Sequence, residues 1–108
     1  MSKKQEYNIE ELSKHEFVVI GSEHYNPLGV IRSLGEAGIA PIAVIRRGEY
    51  GFASASKYIK QLFLIDDYEE SLDIIKRFGD IDCKPVIIPC DDVITLICDR
   101  EYAWLRDI

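Results

Sequence analysis

The chain has 108 residues, 47% hydrophobic and 30% charged, with a formal charge of −6 at pH 7. This length suits one domain able to bury its own core, and the acidic balance disfavours a nucleic-acid partner, which requires a concentrated basic face that Lys3–Lys4 and Arg46–Arg47 are too small to provide. No apolar run approaches the ~20 residues of a membrane span, and the polar N-terminus lacks the apolar centre of a signal peptide, so neither a membrane nor a nucleic acid is expected as partner and the expected location is cytoplasmic.

Residues 1–15 read as a polar N-terminal segment, with Asn8 placed to cap a short helical turn, and residues 16–108 as one α/β domain. Phe17 to Ile20 is a continuous apolar run with two valines, as expected of a strand covered on both faces, and Gly21 ends it. The next segment is a polar loop in which Asn26 offers a capping oxygen and Pro27 fits the first helical position. Leu28, Ile31, Leu34 and Gly35 share one face of the following helix, and Gly38 supplies the left-handed stop. Ile42 to Ile45 is a second strand. Arg46 to Ser56, rich in glycine, serine and alanine, reads as a loop. Gln61 to Ile65 is a third strand, and Asp66 or Asp67 caps a helix with Leu72, Ile74, Ile75 and Phe78 on its apolar stripe. Pro85 to Pro89 is a fourth strand with its prolines at the ends, where they remove no central ladder bond. Asp91 or Asp92 then caps a last helix carrying Val93, Ile94, Leu96, Ile97 and Ala103 to Leu105. The order β-α-β-β-α-β-α predicts a Rossmann-like open, mostly parallel four-stranded sheet with helices on both faces.

The polar loop after the first strand sits where open α/β sheets bind ligands, but it is not a nucleotide loop. Gly21 and Gly29 lack the GxGxxG spacing, and no Gly-Lys-Ser/Thr follows the strand. Ser22, Glu23, His24, Tyr25 and Asn26 crowd hydrogen-bonding side chains at the mouth of the sheet, and the open N–H groups of Leu28 and Gly29 favour an anion there. The bland alternative makes Asn26 a cap and leaves the others solvated. His15 and His24 lie at opposite ends of a strand, ~25 to 30 Å apart, and cannot share a metal through that segment. Asp91 and Asp92 read as a cap with dipole pairing rather than a cation site. Cys83, Cys90 and Cys98 have no CxxC spacing and read as free thiols; Cys90, beside Asp91 at a strand end, is either a packing residue or a nucleophile without a histidine partner. No triad, carboxylate pair or metal cluster emerges, so catalytic, cofactor-binding and metal-ligating residues are all expected to be absent.

Taken in order, IGSEHYNPLGVIRSLGEAGI, ASASKY and KPVIIPCDDVITLI resemble the N-terminal (pre-ATP-grasp) domain of ATP-grasp carboxylate–amine ligases, in the D-aspartate ligase-like and carbamoyl-phosphate-synthase-like group. The matching residues are Gly21 at the strand end, Arg32-Ser33-Leu34-Gly35 in the helix, Ser56-Lys57-Tyr58 after the second strand, and Pro89 with Asp91–Asp92 before the last helix. The likeness spans about residues 16 to 105. It implies a domain that forms one wall of the pocket for a small carboxylate or amino-acid substrate, with substrate-binding positions at Gly21, Ser22, Asn26, Leu28, Ser56 and Asp91. ATP and magnesium belong to two later lobes, where an acyl phosphate forms and an amine attacks it. The chain stops where those lobes would begin, so the expectation is a non-catalytic piece of such a ligase, with ATP and Mg needed only by the full-length enzyme and the lobes supplied in cis or by a separate chain. Two other readings stay open: a stand-alone small-ligand binding or regulatory module, and a protein-interaction domain presenting Tyr102, Trp104 and Leu105. A homodimer is compatible with all three.

Overall fold

In a computed structural model of the chain, residues 15–23, 25–48, 53–79 and 84–105 are described. The turn expected at Asn8, His24, Cys83 and most of the polar segment 1–15 lie outside them.

The four expected strands form: β1 (Phe17–Ser22), β2 (Ile42–Arg46), β3 (Gln61–Ile65) and β4 (Val86–Pro89). They make one sheet in the order β3-β2-β1-β4, every neighbouring pair parallel. β1 is central, and Val18, Val19 and Ile20 have 0% of their surface exposed. That is why its sequence runs apolar instead of alternating.

Helices cover both faces. α1 (Tyr25–Glu36) joins β1 to β2 and packs Leu28, Ile31 and Leu34 against Val19, Ala43 and Ile45. The connection from β2 to β3 crosses the same face without a described helix, filling it with Ala53, Tyr58 and Ile59. On the opposite face, α2 (Glu70–Arg77) and α3 (Asp92–Arg100) bury Ile74, Ile75, Ile94 and Ile97 over Val18, Ile20, Ile42, Val44 and Ile65. Leu105 of α4 (Tyr102–Leu105) joins that cluster.

The ends of the helices differ in detail from the expectation. α1 begins at Tyr25, so Asn26 lies inside the first turn and is not its cap. At the other end Gly38, with φ of 89°, completes a Schellman stop: its N–H meets the Gly35 carbonyl at 3.0 Å, and the Ile39 N–H meets that of Leu34 at 2.9 Å. Before α2, the Asp67 carboxylate accepts from the Glu69 N–H at 3.0 Å while Glu70 accepts from Asp67 and Asp66 N–H at 2.8 and 2.9 Å. This is a capping box around Asp67, followed by a tight turn before the helix proper. The expected single last helix breaks at Glu101 into α3 and α4. Trp104 there is half-buried, its indole N–H donating to Glu101 at 2.8 Å and Lys76 lying 5.0 Å from its ring, so of the three aromatic and apolar residues expected on the surface only Tyr102 is exposed.

Gly35 is where α1 and the crossover touch. A Cβ built there would lie 2.1 Å from Cγ of Tyr58 and 2.6 Å from its Cβ, too near the backbone for a rotamer change to relieve. Gly35→Ala should therefore destabilise the fold by about 2 kcal/mol despite alanine's better helix propensity, read by urea unfolding. Combining it with Tyr58→Ala should recover part of the loss; a more stable Gly35→Ala variant would contradict the packing described.

Candidate functional site: the crevice at the switch point

The chain leaves β1 over one face of the sheet and enters β4 from the other, so the strand order reverses between these two neighbours. Their carboxyl ends diverge there into an open crevice of about 450 Å³ lined by Asn26, Val30, Ile88, Pro89, Cys90, Asp91, Asp92 and Thr95. Open α/β sheets bind their ligands at this position. One wall is the first turn of α1 and the other the first turn of α3. Asn26 and Val30 also line a second depression that continues along α1 past Gly29, Ser33 and Leu34. The floor is tight: a Cβ on Gly21 would sit 3.1 Å from both Cys90 and Pro27, which lets the end of β1 press against both walls.

Asp91 organises the inner side of this edge. One carboxylate oxygen accepts from the Ile94 N–H at 3.0 Å, capping α3, and the other accepts from the Tyr68 hydroxyl. Tyr68 arrives from the turn after β3, is 4% exposed, and has the Arg46 guanidinium 5.4 Å from its ring centre. Burial, the hydrogen bond to Asp91 and that carboxylate's charge push the phenol up to about 12, against smaller opposing effects from a Ser22 hydrogen bond and Arg46. Four strand ends are thus tied together through one phenol: Ser22 from β1, Arg46 from β2, Tyr68 after β3 and Asp91 after β4.

Cys90 lies at the crevice floor, but burial and then the Asp91 charge raise its thiol to about 11. A thiol raised in this way is a weaker nucleophile near neutral pH than an ordinary one, which favours the packing reading of Cys90. Among the described residues no cluster of three or more His, Cys, Asp or Glu is placed to hold a metal ion.

The expected site residues divide. Asn26 and Asp91 line the crevice, Gly21 presses on its floor, and Ser22 reaches it only through Tyr68. Leu28 packs into the core beneath α1, and with the helix starting at Tyr25 the open N–H groups move back to Tyr25 and Asn26, Pro27 having none. Ser56 is in the crossover turn, where its hydroxyl accepts from the Tyr58 N–H at 3.3 Å, and it does not line the crevice. The contact that does bind this crossover to the mouth of the sheet is Glu23, whose carboxylate accepts from the Ser54 N–H at 2.9 Å and its hydroxyl at 2.6 Å. Thr95 and Tyr68 were not foreseen. Tyr68 was legible in one respect: a residue just past a parallel strand returns to the same sheet edge as the residues just past its neighbours.

Two outcomes follow from these environments. The folded state holds the neutral phenol of Tyr68 more firmly than the unfolded chain does, so its contribution to stability is complete below pH 10 and is lost as pH rises from about 10 to about 12. Of the six tyrosines, one should ionise last in a spectrophotometric titration. In Asp91→Asn it should ionise earlier yet still above 10, because burial is the larger cause; no change in that variant would contradict the contact. Cys90 should react with a disulfide reagent at pH 8 on the order of 100-fold more slowly than an ordinary thiol, as peptide mapping of the label would show. Comparison of the chain with protein-family models, with curated proteins and with solved structures finds no match.

Proposed function

We propose that this chain is the N-terminal substrate-wall domain of an ATP-grasp ligase that joins a carboxylate to an amine through an acyl phosphate. The observation that carries the reading is the shape of the crevice: a volume within the ~300 to 1,000 Å³ of small-molecule pockets, yet walled on two sides and open on the others. It is part of a pocket that needs another body to close it. The motif residues meet one another as a working unit should, with Gly35 against Tyr58, Gly21 against Cys90, and Glu23 holding the segment that contains Ser54 and Ser56.

In this reading the crevice takes an amino-acid substrate. The Asn26 amide and the first N–H groups of α1 suit its carboxylate, and Asp92 suits its ammonium group. Asp91 lines the same crevice, and each of its oxygens, already accepting one hydrogen bond, keeps a further lone pair for a ligand. The ATP-binding lobes, in cis or on a separate chain of the cytoplasm, hold ATP and magnesium and close over Val93 and Leu96, large apolar residues of α3 left 55% and 68% exposed. No described helix is long and apolar enough to cross a membrane, in keeping with this placement.

Calorimetric titration of the chain separates this reading from a nucleotide-binding one. Small amino acids should bind weakly, with dissociation constants on the order of millimolar, and Asn26→Ala should weaken them several-fold. Magnesium–ATP should give no heat of binding, and sub-millimolar ATP affinity, or ATP hydrolysis stimulated by an amino acid, would sink the proposal.

A further inference from the structure

The far edge of the sheet plays no part in the crevice. β3 is the last strand on its side, and no described strand pairs with its outer edge. The Ile65 carbonyl accepts from the Arg47 N–H at 2.9 Å, so Ile65 directs its peptide groups toward β2. By the alternation of a parallel ladder Phe63 does the same, while Leu62 and Leu64 present theirs to the open edge. Their side chains are 38% and 41% exposed, and neither joins the cluster beneath α1. Natural edge strands are usually guarded by a proline, a bulge or a charge at mid-strand. Gln61–Ile65 has none of these; its charges, Lys60 and Asp66, stand only at its two ends.

We propose that the β3 edge pairs antiparallel with the β3 edge of a second copy of this chain, about a two-fold axis through Phe63. This register uses every open peptide group of the strand: Leu62 exchanges both hydrogen bonds with Leu64 of the second copy, and Leu64 with its Leu62. It also brings Lys60, in the bend before the strand, toward Asp66 of the second copy, in the bend after it, at both ends of the Leu-Leu row. Moving the axis by one residue would set Leu64 against Lys60 or Leu62 against Asp66, so the charges select the register. The groove beside the strand, about 370 Å³ between β3 and α2, repeats the pattern. It carries Glu70 and Asp73 toward one end and Arg77 at the other, and a two-fold axis opposes the unlike ends. The intrachain pairs that Lys60 and Asp66 now make, with Glu16 at 2.6 Å and Arg47 at 3.2 Å, are solvent-exposed and easily exchanged.

Sedimentation velocity of the full chain, over the ~10 μM to 1 mM expected of a small interface, tests the pairing. A monomer–dimer equilibrium is expected, with Leu64→Lys raising the dissociation constant at least about tenfold. Lys60→Asp and Asp66→Lys should each weaken the dimer, and the double charge swap should restore it, a recovery that damage to the fold would not produce. Hydrogen exchange should show the Leu62 and Leu64 amides protected only at dimer-forming concentration, with Phe63 and Ile65 protected throughout. A monomer over the whole range would overturn the proposal. So would a dimer indifferent to Leu64→Lys and to the charge swaps, which would place the contact on another face, such as Val93 and Leu96 of α3.

Discussion

The structure depends on one constraint: β1 is paired in parallel on both sides and covered on both faces. A parallel neighbour cannot be reached by a tight turn, so each adjoining strand must arrive through a crossover, and the two crossovers must run over opposite faces to leave neither open. From this follow the apolar character of Phe17 to Ile20, the two separate core clusters, and the reversal of strand order between β1 and β4. The crevice is a consequence of that reversal. It exists because α1 and α3 start from adjacent strand ends and then lean away to opposite sides.

The chemistry of this edge serves to hold it together. The Asp91 carboxylate caps α3 and accepts from Tyr68, and the paired phenol is thereby held neutral far above its ordinary range. Cys90 is half-buried at the same edge, and its thiol is raised by that burial and then by the Asp91 charge. Among the described residues, the Asp91 carboxylate and the Tyr68 phenol thus meet each other at this edge as structural partners. Among the described residues that line the crevice, Asn26, Asp92 and Thr95 carry side chains able to hydrogen-bond a small polar molecule.

Much of this was legible in the sequence because the physical signals were strong. Strands buried on both faces cannot alternate, so the runs at Val18, Val44 and Ile88 announced a parallel sheet, and Gly38 announced the end of α1. The position of β3 was not legible: QLFLI is as apolar as the central strands, and only the routes of the crossovers make it an edge. Leu28 lies deeper in α1 than expected because the helix starts at Tyr25, two residues before Pro27, and that shift decides which N–H groups are open. Tyr68 was missed because its role depends on a partner, Asp91, that arrives from another strand end, and pattern reading along the chain does not see across a sheet. Glu23 and Ser54, joined across the same edge, escaped for the same reason.

The most direct test of the crevice as a substrate wall is a backbone-amide NMR titration of the chain with a small amino acid such as aspartate. The account predicts shifts concentrated at Asn26, Val30, Cys90, Asp92 and Thr95, with β3 and the outer side of α2 unmoved. Shifts centred elsewhere, or none at tens of millimolar ligand, where even a weak site would fill, would contradict it.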